Sequence, residues 1–222
     1  MSMPSIETIE IETGAKPQAA VIWLHGLGAD GHDFEPIVPE LRLPASPAIR
    51  FVFPHAPVRP VTLNNGYRMR AWYDIFQLGG GAEDEAGIRD SQLVLEHLVD
   101  AEKRKGISAS RIVLAGFSQG GAIALQTATR YPEKLAGVLA LSTYLPLSAK
   151  LGAERAEANL GTPIFMAHGS YDDVIPLERA ERSRRLLTEG GYAVEWHTYP
   201  MPHSVCAPEI ADISAYLAKV LA

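Results

Sequence analysis

The chain has 222 residues, of which 47% are hydrophobic and 21% are charged, and its net charge is −6 at pH 7. This size and composition predict a single globular domain, residues 1–222, with a core large enough to be stable alone. The basic residues are scattered, which argues against nucleic acid or an anionic membrane as a partner. No apolar run approaches the roughly 20 residues of a membrane span, so stable membrane insertion is not expected.

The single cysteine, Cys206, excludes an internal disulfide and is typical of a reducing compartment. A lone cysteine that follows a histidine, as Cys206 follows His203, is more often a small buried apolar residue than a nucleophile. The N-terminal stretch has neither a basic start nor an apolar core, so no signal peptide is predicted. We therefore expect a cytoplasmic location.

Strand-like and helix-like patterns alternate along the chain. Residues 5–12 alternate isoleucines with polar residues, which predicts an edge strand with one face in water. Continuous apolar runs predict buried strands at 19–24, 49–53, 112–115, 136–141 and 163–167. A further strand is predicted at 193–199. Helical spacing and end signals predict helices at 32–41, 83–105, 177–189 and 208–221. A further helix is predicted directly after Gln119, and a short surface helix within 149–160. This order predicts an α/β fold with a mainly parallel central sheet and helices on both faces.

The segment 56–81 has no clear periodicity but is rich in aromatic and aliphatic residues. Long irregular segments are uncommon in compact domains and often form a lid or a binding loop. An apolar loop predicts an apolar ligand, although packing against the core explains any single residue here equally well. The same loop would also suit a homodimer.

A short motif joins the strand at 112–115 to the helix that follows it. Gly116-Phe117-Ser118-Gln119-Gly120 matches the Gly-x-Ser-x-Gly nucleophile elbow, a tight turn that exposes a serine hydroxyl at the carboxyl edge of a sheet. The helix that follows directs its N-terminal N–H groups toward the same place, which favours an oxyanion beside Ser118. The motif alone is weak evidence, because small residues surround many serines in glycine-rich loops.

An active serine needs a base and an acid that orients the base. His203 is the best candidate for the base, because it lies in a proline-stiffened loop between the last strand and the last helix. Asp172 and Asp173 follow the strand at 163–167, so the chain order Ser, Asp, His is that of the α/β-hydrolases. The residues alone leave the two carboxylates nearly even, since Asp173 could instead cap the following helix.

The motifs LHGLGADG, AWYDI, GFSQGGA and HGSYDDVIP, together with His203, resemble the carboxylesterase and acyl-protein thioesterase family of serine α/β-hydrolases. The resemblance covers nearly the whole chain and implies the α/β-hydrolase fold, esterase activity without a cofactor, and a small to medium apolar acyl ester as substrate. It implies Ser118 as nucleophile, His203 as base and Asp172 as acid. It also implies further site residues: the N–H groups of Leu27 and Gln119 as oxyanion donors, and Leu63, Trp72, Tyr144 and Val174 as substrate contacts. Relatives that remove fatty acyl groups from proteins often have Trp at the position of Tyr144, so simple carboxylic esters are the expected substrates, with thioesters as a second bond type. The alternative is an acyl-protein thioesterase or lysophospholipase that acts on long acyl chains.

Other classes of protein fit the sequence less well. Gly26, Gly28 and Gly31 match the dinucleotide-binding Gly-x-Gly-x-x-Gly pattern, but the acidic residue expected some 20 positions later is replaced by Phe53-Pro54-His55. A hydrolase-like binding protein without activity would not need all three triad residue types. No spacing typical of metal ligands is present.

Overall fold

The computed structural model describes residues 6–77 and 81–222. The strands are β1 (Thr8–Glu12), β2 (Ala19–Leu24), β3 (Ile49–Pro54), β4 (Val58–Val61), β5 (Tyr67–Arg70), β6 (Ile112–Phe117), β7 (Gly137–Leu141), β8 (Ile164–Gly169) and β9 (Val194–Tyr199). The helices are α1 (Ile37–Glu40), α2 (Glu85–Arg104), α3 (Gln119–Ala128), α4 (Leu151–Glu154), α5 (Leu177–Glu189) and α6 (Ala207–Val220).

Within these described ranges, seven strands form one sheet in the order β1-β3-β2-β6-β7-β8-β9. Only β1 is antiparallel to its neighbour, and every other pair in this sheet is parallel. The predicted fold class is therefore confirmed. Because the carboxyl ends of parallel strands share one edge, the loops after β2, β6, β7 and β8 lie close together there.

Alternate residues of the central strands face two separate hydrophobic layers. In β2, Ile22 packs with α2 and α3, whereas Val21 and Trp23 pack with α6 on the opposite face. All six β2 residues are buried, which explains why this strand is apolar throughout instead of alternating.

Three predicted segments differ from the structure. The helix expected at 32–41 is wrong: only α1 forms, because Pro36 and Pro39 lack N–H donors and Gly31 is tied by its N–H to His55 Nδ1. The segment 56–81 contains the β4–β5 hairpin, so it is less irregular than predicted. Within 149–160, α4 is a single turn flanked by short 3-10 turns.

The segment 56–81, interpreted above as a lid or binding loop, includes residues 78–80, which lie outside the described ranges. No helix in the described ranges combines the length and apolar character required to cross a membrane.

Candidate active site

The turn at Ser118 is strained and closely packed. Ser118 has φ 54° and ψ −120°, a conformation that non-glycine residues rarely adopt, between the end of β6 and the start of α3. Gly120 lies against the end of β2, where a Cβ atom would overlap the Leu24 carbonyl. The Ser118 N–H donates to Leu141 O at 2.9 Å, and the Thr143 hydroxyl donates to Ser118 O at 2.6 Å. The end of β7 therefore holds the strained turn in place.

Asp172 contacts His203, and its neighbour Asp173 is exposed. His203 Nδ1 donates to Asp172 Oδ2 at 2.7 Å. The other carboxylate oxygen, Oδ1, accepts from the backbone N–H groups of Val174 and Ile175 at 2.9 and 2.8 Å. These bonds fix the Asp172 carboxylate, so the geometry distinguishes the two acids that the residues alone left even.

His203 and Ser118 line the same cavity, which has a volume of about 490 Å³. The His203 ring packs on Phe117, the residue before Ser118, with 4.7 Å between the ring centroids. Among the hydrogen bonds of residues 6–77 and 81–222, none joins the Ser118 hydroxyl to the imidazole. Such bonds are often long until substrate binds, so this arrangement is compatible with a base beside the hydroxyl.

Two backbone N–H groups of the cavity wall are available to a ligand. Leu27 and Gln119 both line the cavity, and neither N–H donates to another group in the described part of the chain. Gly28, with φ 80°, turns the loop after β2 so that its own N–H donates to Arg70 O at 2.9 Å. This turn leaves the Leu27 donor unused, as an oxyanion site requires.

His25 supports the loop that carries Leu27. Its Nδ1 donates to Gly26 O at 2.7 Å, and its Nε2 accepts from the Ala56 N–H at 3.0 Å, which fixes the neutral ring. Burial lowers the pKa of His25 to about 4, against a smaller opposing effect of the Gly26 carbonyl. The ring is 1% exposed, so it is a structural part of the loop.

Three of the four predicted substrate contacts, Leu63, Tyr144 and Val174, line the cavity. Trp72 is not among its lining residues; it is fully buried, and its indole N–H donates to His25 O at 2.9 Å. The motif AWYDI identified the segment but not the direction of each side chain. Trp72 therefore supports the His25 loop from behind the cavity.

The Gln119 side chain is a functional feature that sequence reasoning missed. Its Oε1 accepts from the Trp72 N–H and its Nε2 donates to Tyr73 O, each at 2.7 Å. The residue after the nucleophile thus binds the AWYDI segment to the elbow. Only the co-occurrence of the two motifs could have indicated this contact.

His168 lies beneath the acid. Its Nε2 lies 2.8 Å from Ile175 O and 3.3 Å from Asp172 Oδ2, so an N–H at this position donates toward both oxygens. Burial lowers the pKa of His168, which favours the neutral ring. His168 therefore supports the loop after β8, as His25 supports the loop after β2.

The glycine-rich loop after β2 does not open a helix. Gly26, Gly28 and Gly31 precede α1 by several residues, so the helix N-terminus that a dinucleotide pyrophosphate requires does not follow them. No group of three or more His, Cys, Asp or Glu side chains in the described ranges is arranged to hold a metal ion. The Cys206 side chain is half-buried at the start of α6 and packs beside the hydrophobic layer that includes Met201.

Comparisons with known proteins give one consistent result. A family model described as phospholipase/carboxylesterase matches residues 6–221. Acyl-protein thioesterase 1 of Neurospora crassa is 44% identical, over 93% of this chain and 89% of its own length. Acyl-protein thioesterase 1 of Mycosarcoma maydis is 41% identical, over 100% of this chain and 99% of its own. Among solved structures, acyl-protein thioesterase 2 of Zea mays has a TM-score of 0.87 at 28% identity, covering 97% of this chain and 99% of that one.

Proposed function

The chain belongs to the phospholipase/carboxylesterase family of α/β-hydrolases and is a carboxylic ester hydrolase, and we propose that it acts through an acyl-enzyme on Ser118. The proposal rests on one observation. The strained turn at Ser118 and the His203 ring line the same cavity, and that ring is hydrogen-bonded to the buried Asp172. The catalytic roles of the individual residues are proposed from that geometry.

In the proposed mechanism, His203 Nε2 takes the Ser118 hydroxyl proton as Oγ attacks the substrate carbonyl carbon. The carbonyl oxygen becomes an oxyanion, which the Leu27 and Gln119 N–H groups stabilise. The intermediate collapses, the bond to the leaving alcohol or thiol breaks, and the imidazolium protonates that group. Water then attacks the acyl-enzyme with His203 again as base, and the acid product leaves.

Asp172 holds the His203 ring so that Nδ1 carries a proton and Nε2 is free to act as base. Because its carboxylate accepts two backbone N–H groups and is shielded from water, it remains in place while the imidazolium forms. It stabilises that cation without taking its proton.

We propose carboxylic esters as the principal substrates, with thioesters hydrolysed by the same acyl-enzyme route. The alternative is a thioesterase or lysophospholipase acting on long acyl chains, which the similarity to proteins named acyl-protein thioesterase favours. Against long chains stands a polar part of the cavity wall, formed by Tyr73 and Tyr144. Activity over p-nitrophenyl esters of increasing chain length, compared with a palmitoyl thioester, distinguishes the two.

Ser118→Ala tests the proposed nucleophile. We expect turnover of p-nitrophenyl acetate to fall by about 10⁶-fold, as in other serine hydrolases, and labelling by a fluorophosphonate probe to be lost. The matched control is Ser170→Ala, an exposed serine after β8 on the same edge of the sheet, which should keep full activity. Near-normal esterase activity in Ser118→Ala would refute the assignment.

A cytoplasmic location and a homodimer remain predictions. The single cysteine supports the first, because nothing in the chain requires an oxidising compartment. Exposed Val58 and Tyr67 on the β4–β5 hairpin support the second, because they add apolar surface to the loop segment. Sedimentation equilibrium tests the oligomeric state, and cell fractionation tests the location. Nucleic acid is not a proposed partner, because the chain is acidic overall.

A further inference from the structure

One part of the cavity wall is polar and has more hydrogen-bond donors than acceptors. The hydroxyl groups of Tyr73 and Tyr144 lie 2.8 Å apart, and both side chains are buried. The guanidinium carbon of Arg179, in the first turn of α5, lies 3.4 Å from the centroid of the Tyr144 ring. All three residues line the cavity that contains Ser118.

The two phenols leave one donor unused. Their mutual hydrogen bond uses one O–H proton, and the second proton has no acceptor in the described ranges of the chain. Burial raises the pKa of both phenols, so both keep their protons at neutral pH. The pair therefore offers an O–H donor to a ligand.

Arg179 has no carboxylate partner. Within the described residues its guanidinium forms no ion pair; it lies over the face of the Tyr144 ring and interacts with the hydroxyl of that residue, and neither supplies a carboxylate. A guanidinium carries five N–H donors and no acceptor. The cluster of Tyr73, Tyr144 and Arg179 thus contains one cation and several hydrogen-bond donors.

The acidic residues that also line the cavity are bonded elsewhere. The Asp74 carboxylate accepts from the Thr62 N–H and hydroxyl, and Asp84 accepts from the Asp74 and Gly87 N–H groups. Glu83 accepts from the Leu147 N–H at 3.0 Å. The remaining acid of the wall, Asp33, is exposed. These bonds leave the carboxylates charged, and the Glu83 charge adds to the effect of burial on the pKa of both phenols. None of the four acids forms an ion pair with Arg179, so its guanidinium N–H groups are available to a ligand.

The cluster is tied to the nucleophile from two sides. Tyr73 O accepts from the Gln119 side chain, and Tyr144 follows Thr143, whose hydroxyl donates to Ser118 O. A group bound by the cluster therefore lies in the same cavity as a carbonyl bound at Ser118. Apolar residues of the wall, such as Leu63 and Val174, suit the carbon chain between the two ends.

We propose that Tyr73, Tyr144 and Arg179 form a subsite for a carboxylate at the free end of the acyl chain, which makes half-esters of dicarboxylic acids preferred substrates. This inference rests on the proposed function, since it assumes that the acyl group occupies the cavity beside Ser118. The planar guanidinium of arginine can donate two parallel hydrogen bonds to the two oxygens of a carboxylate, which no other side chain does as well. A phenol O–H adds a third donor.

The experiment compares monoethyl esters of succinate, glutarate and adipate with the neutral ethyl esters of butyrate, pentanoate and hexanoate. Acid release is followed in a pH-stat, and the ratio of kcat/KM between each half-ester and its neutral counterpart is the readout. We expect the wild-type ratio to exceed one for at least one chain length. In Arg179→Met that ratio should fall by about 10- to 100-fold, the usual effect of losing a hydrogen-bonded charge pair.

Two further variants make the result specific. Arg182→Met, on an exposed position of the same helix, should leave the ratio at its wild-type value. Arg179→Lys keeps the positive charge but cannot donate two parallel hydrogen bonds to a carboxylate. Its ratio of kcat/KM should therefore lie between those of the wild type and Arg179→Met. Unfolding midpoints of all variants exclude a loss of structure as the cause.

The outcomes separate this inference from the proposed function. If neutral esters are hydrolysed in a Ser118-dependent manner but half-esters are not preferred, or if Arg179→Met leaves the ratio unchanged, the carboxylate subsite is wrong and the esterase assignment stands. If the wild type hydrolyses neither series, or if Ser118→Ala hydrolyses both, the proposed function itself fails.

Discussion

At the scale of single residues, Asp172 and Asp173 are adjacent in the chain but have different surroundings. The Asp172 side chain is fully buried and bonded to His203, whereas the Asp173 side chain points into solvent. Their order along the chain could not show this difference, because it depends on where the loop after β8 places each side chain.

Replacing each acid by its amide tests their roles. Asp172→Asn should lower kcat by about 10⁴-fold, because an amide favours the wrong tautomer of His203. Asp173→Asn is the matched control and should change kcat less than about threefold, as expected for an exposed position. Steady-state rates on p-nitrophenyl acetate measure both. Equal mild losses would contradict the proposed acid.

Trp72 shows the limit of a motif at this scale. The AWYDI resemblance places it at the site, yet its indole N–H is used by His25 O and its side chain is fully buried. Tyr144 and Val174, predicted on the same basis, do line the cavity. A motif gives the neighbourhood of a residue, whereas the direction of its side chain follows from packing that the sequence does not display.

His25 should make stability depend on pH. Its folded pKa of about 4 is below the ordinary value of 6.5, so the folded state prefers the neutral ring. The stabilisation is complete above pH 6.5 and is lost as pH falls toward 4, because the unfolded chain binds the proton first. The loss should reach about 2 kcal/mol at pH 5.

Urea unfolding of wild type and His25→Gln at pH 7 and pH 5 tests this effect. The glutamine is uncharged at both values, so the variant should lose less stability on acidification than the wild type does. His97→Gln, at an exposed position of α2, should lose as much as the wild type. Equal losses in all three proteins would show that His25 does not contribute.

At the scale of elements, strands were easier to predict from sequence than the segments between them. β2 and α5 agree with their predicted bounds, since buried strands are apolar throughout and amphipathic helices repeat every 3.6 residues. The predicted helix at 32–41 failed because Pro36 and Pro39 restrict it to one turn. The β4–β5 hairpin has exposed and partly exposed residues on both strands, so it lacks the apolar alternation that identifies a strand.

The strand-to-helix turn should tolerate no side chain at Gly120. A Cβ atom there would overlap backbone atoms of Leu24, the last residue of the buried strand β2, and of His25 directly after it, and neither can move away cheaply. Gly120→Ala should therefore destabilise the protein by about 3 kcal/mol or more. Urea denaturation measures the change.

Gly152→Ala is the matched control for this substitution. Gly152 lies in α4, and no heavy atom would lie within 4 Å of an added Cβ. The alanine should be neutral or stabilise by about 0.5 kcal/mol, since it reduces the entropy of the unfolded chain. A Gly120→Ala variant as stable as Gly152→Ala would mean that the close approach of β2 and α3 is not required.

At the scale of the whole molecule, the site is produced by the order of the strands. Residues from the ends of β2, β6, β7 and β8 meet because these four strands are consecutive neighbours in a parallel sheet. The sequence predicts the parallel sheet and the triad residues. It does not show the Tyr73–Tyr144–Arg179 cluster, because those side chains come from three loops or helix ends whose packing has no local pattern.

Stability of the whole molecule should also fall on the alkaline side, because of Glu209 in the first turn of α6. Its carboxylate is fully buried, and neither oxygen has a hydrogen-bond partner in the described ranges. Burial raises the pKa of Glu209 to about 8; the nearby Cys206 N–H opposes the shift without meeting hydrogen-bond geometry. The folded protein therefore holds the proton of Glu209 more tightly than the unfolded chain does. The resulting stabilisation is fully present below about pH 4.5 and is lost as pH rises toward 8.

Between pH 5 and pH 8 the wild type should lose on the order of 3 kcal/mol through this residue, opposite in sign to the effect of His25. Glu209→Gln removes the ionisation, so the variant should be more stable than the wild type at pH 8 and similar at pH 5. Glu189→Gln, at the exposed end of α5, should follow the wild type at both values. Guanidinium unfolding at the two pH values measures all three proteins. An alkaline loss that persists unchanged in Glu209→Gln would mean that another group causes it, and that the buried carboxyl ionises without cost to the fold.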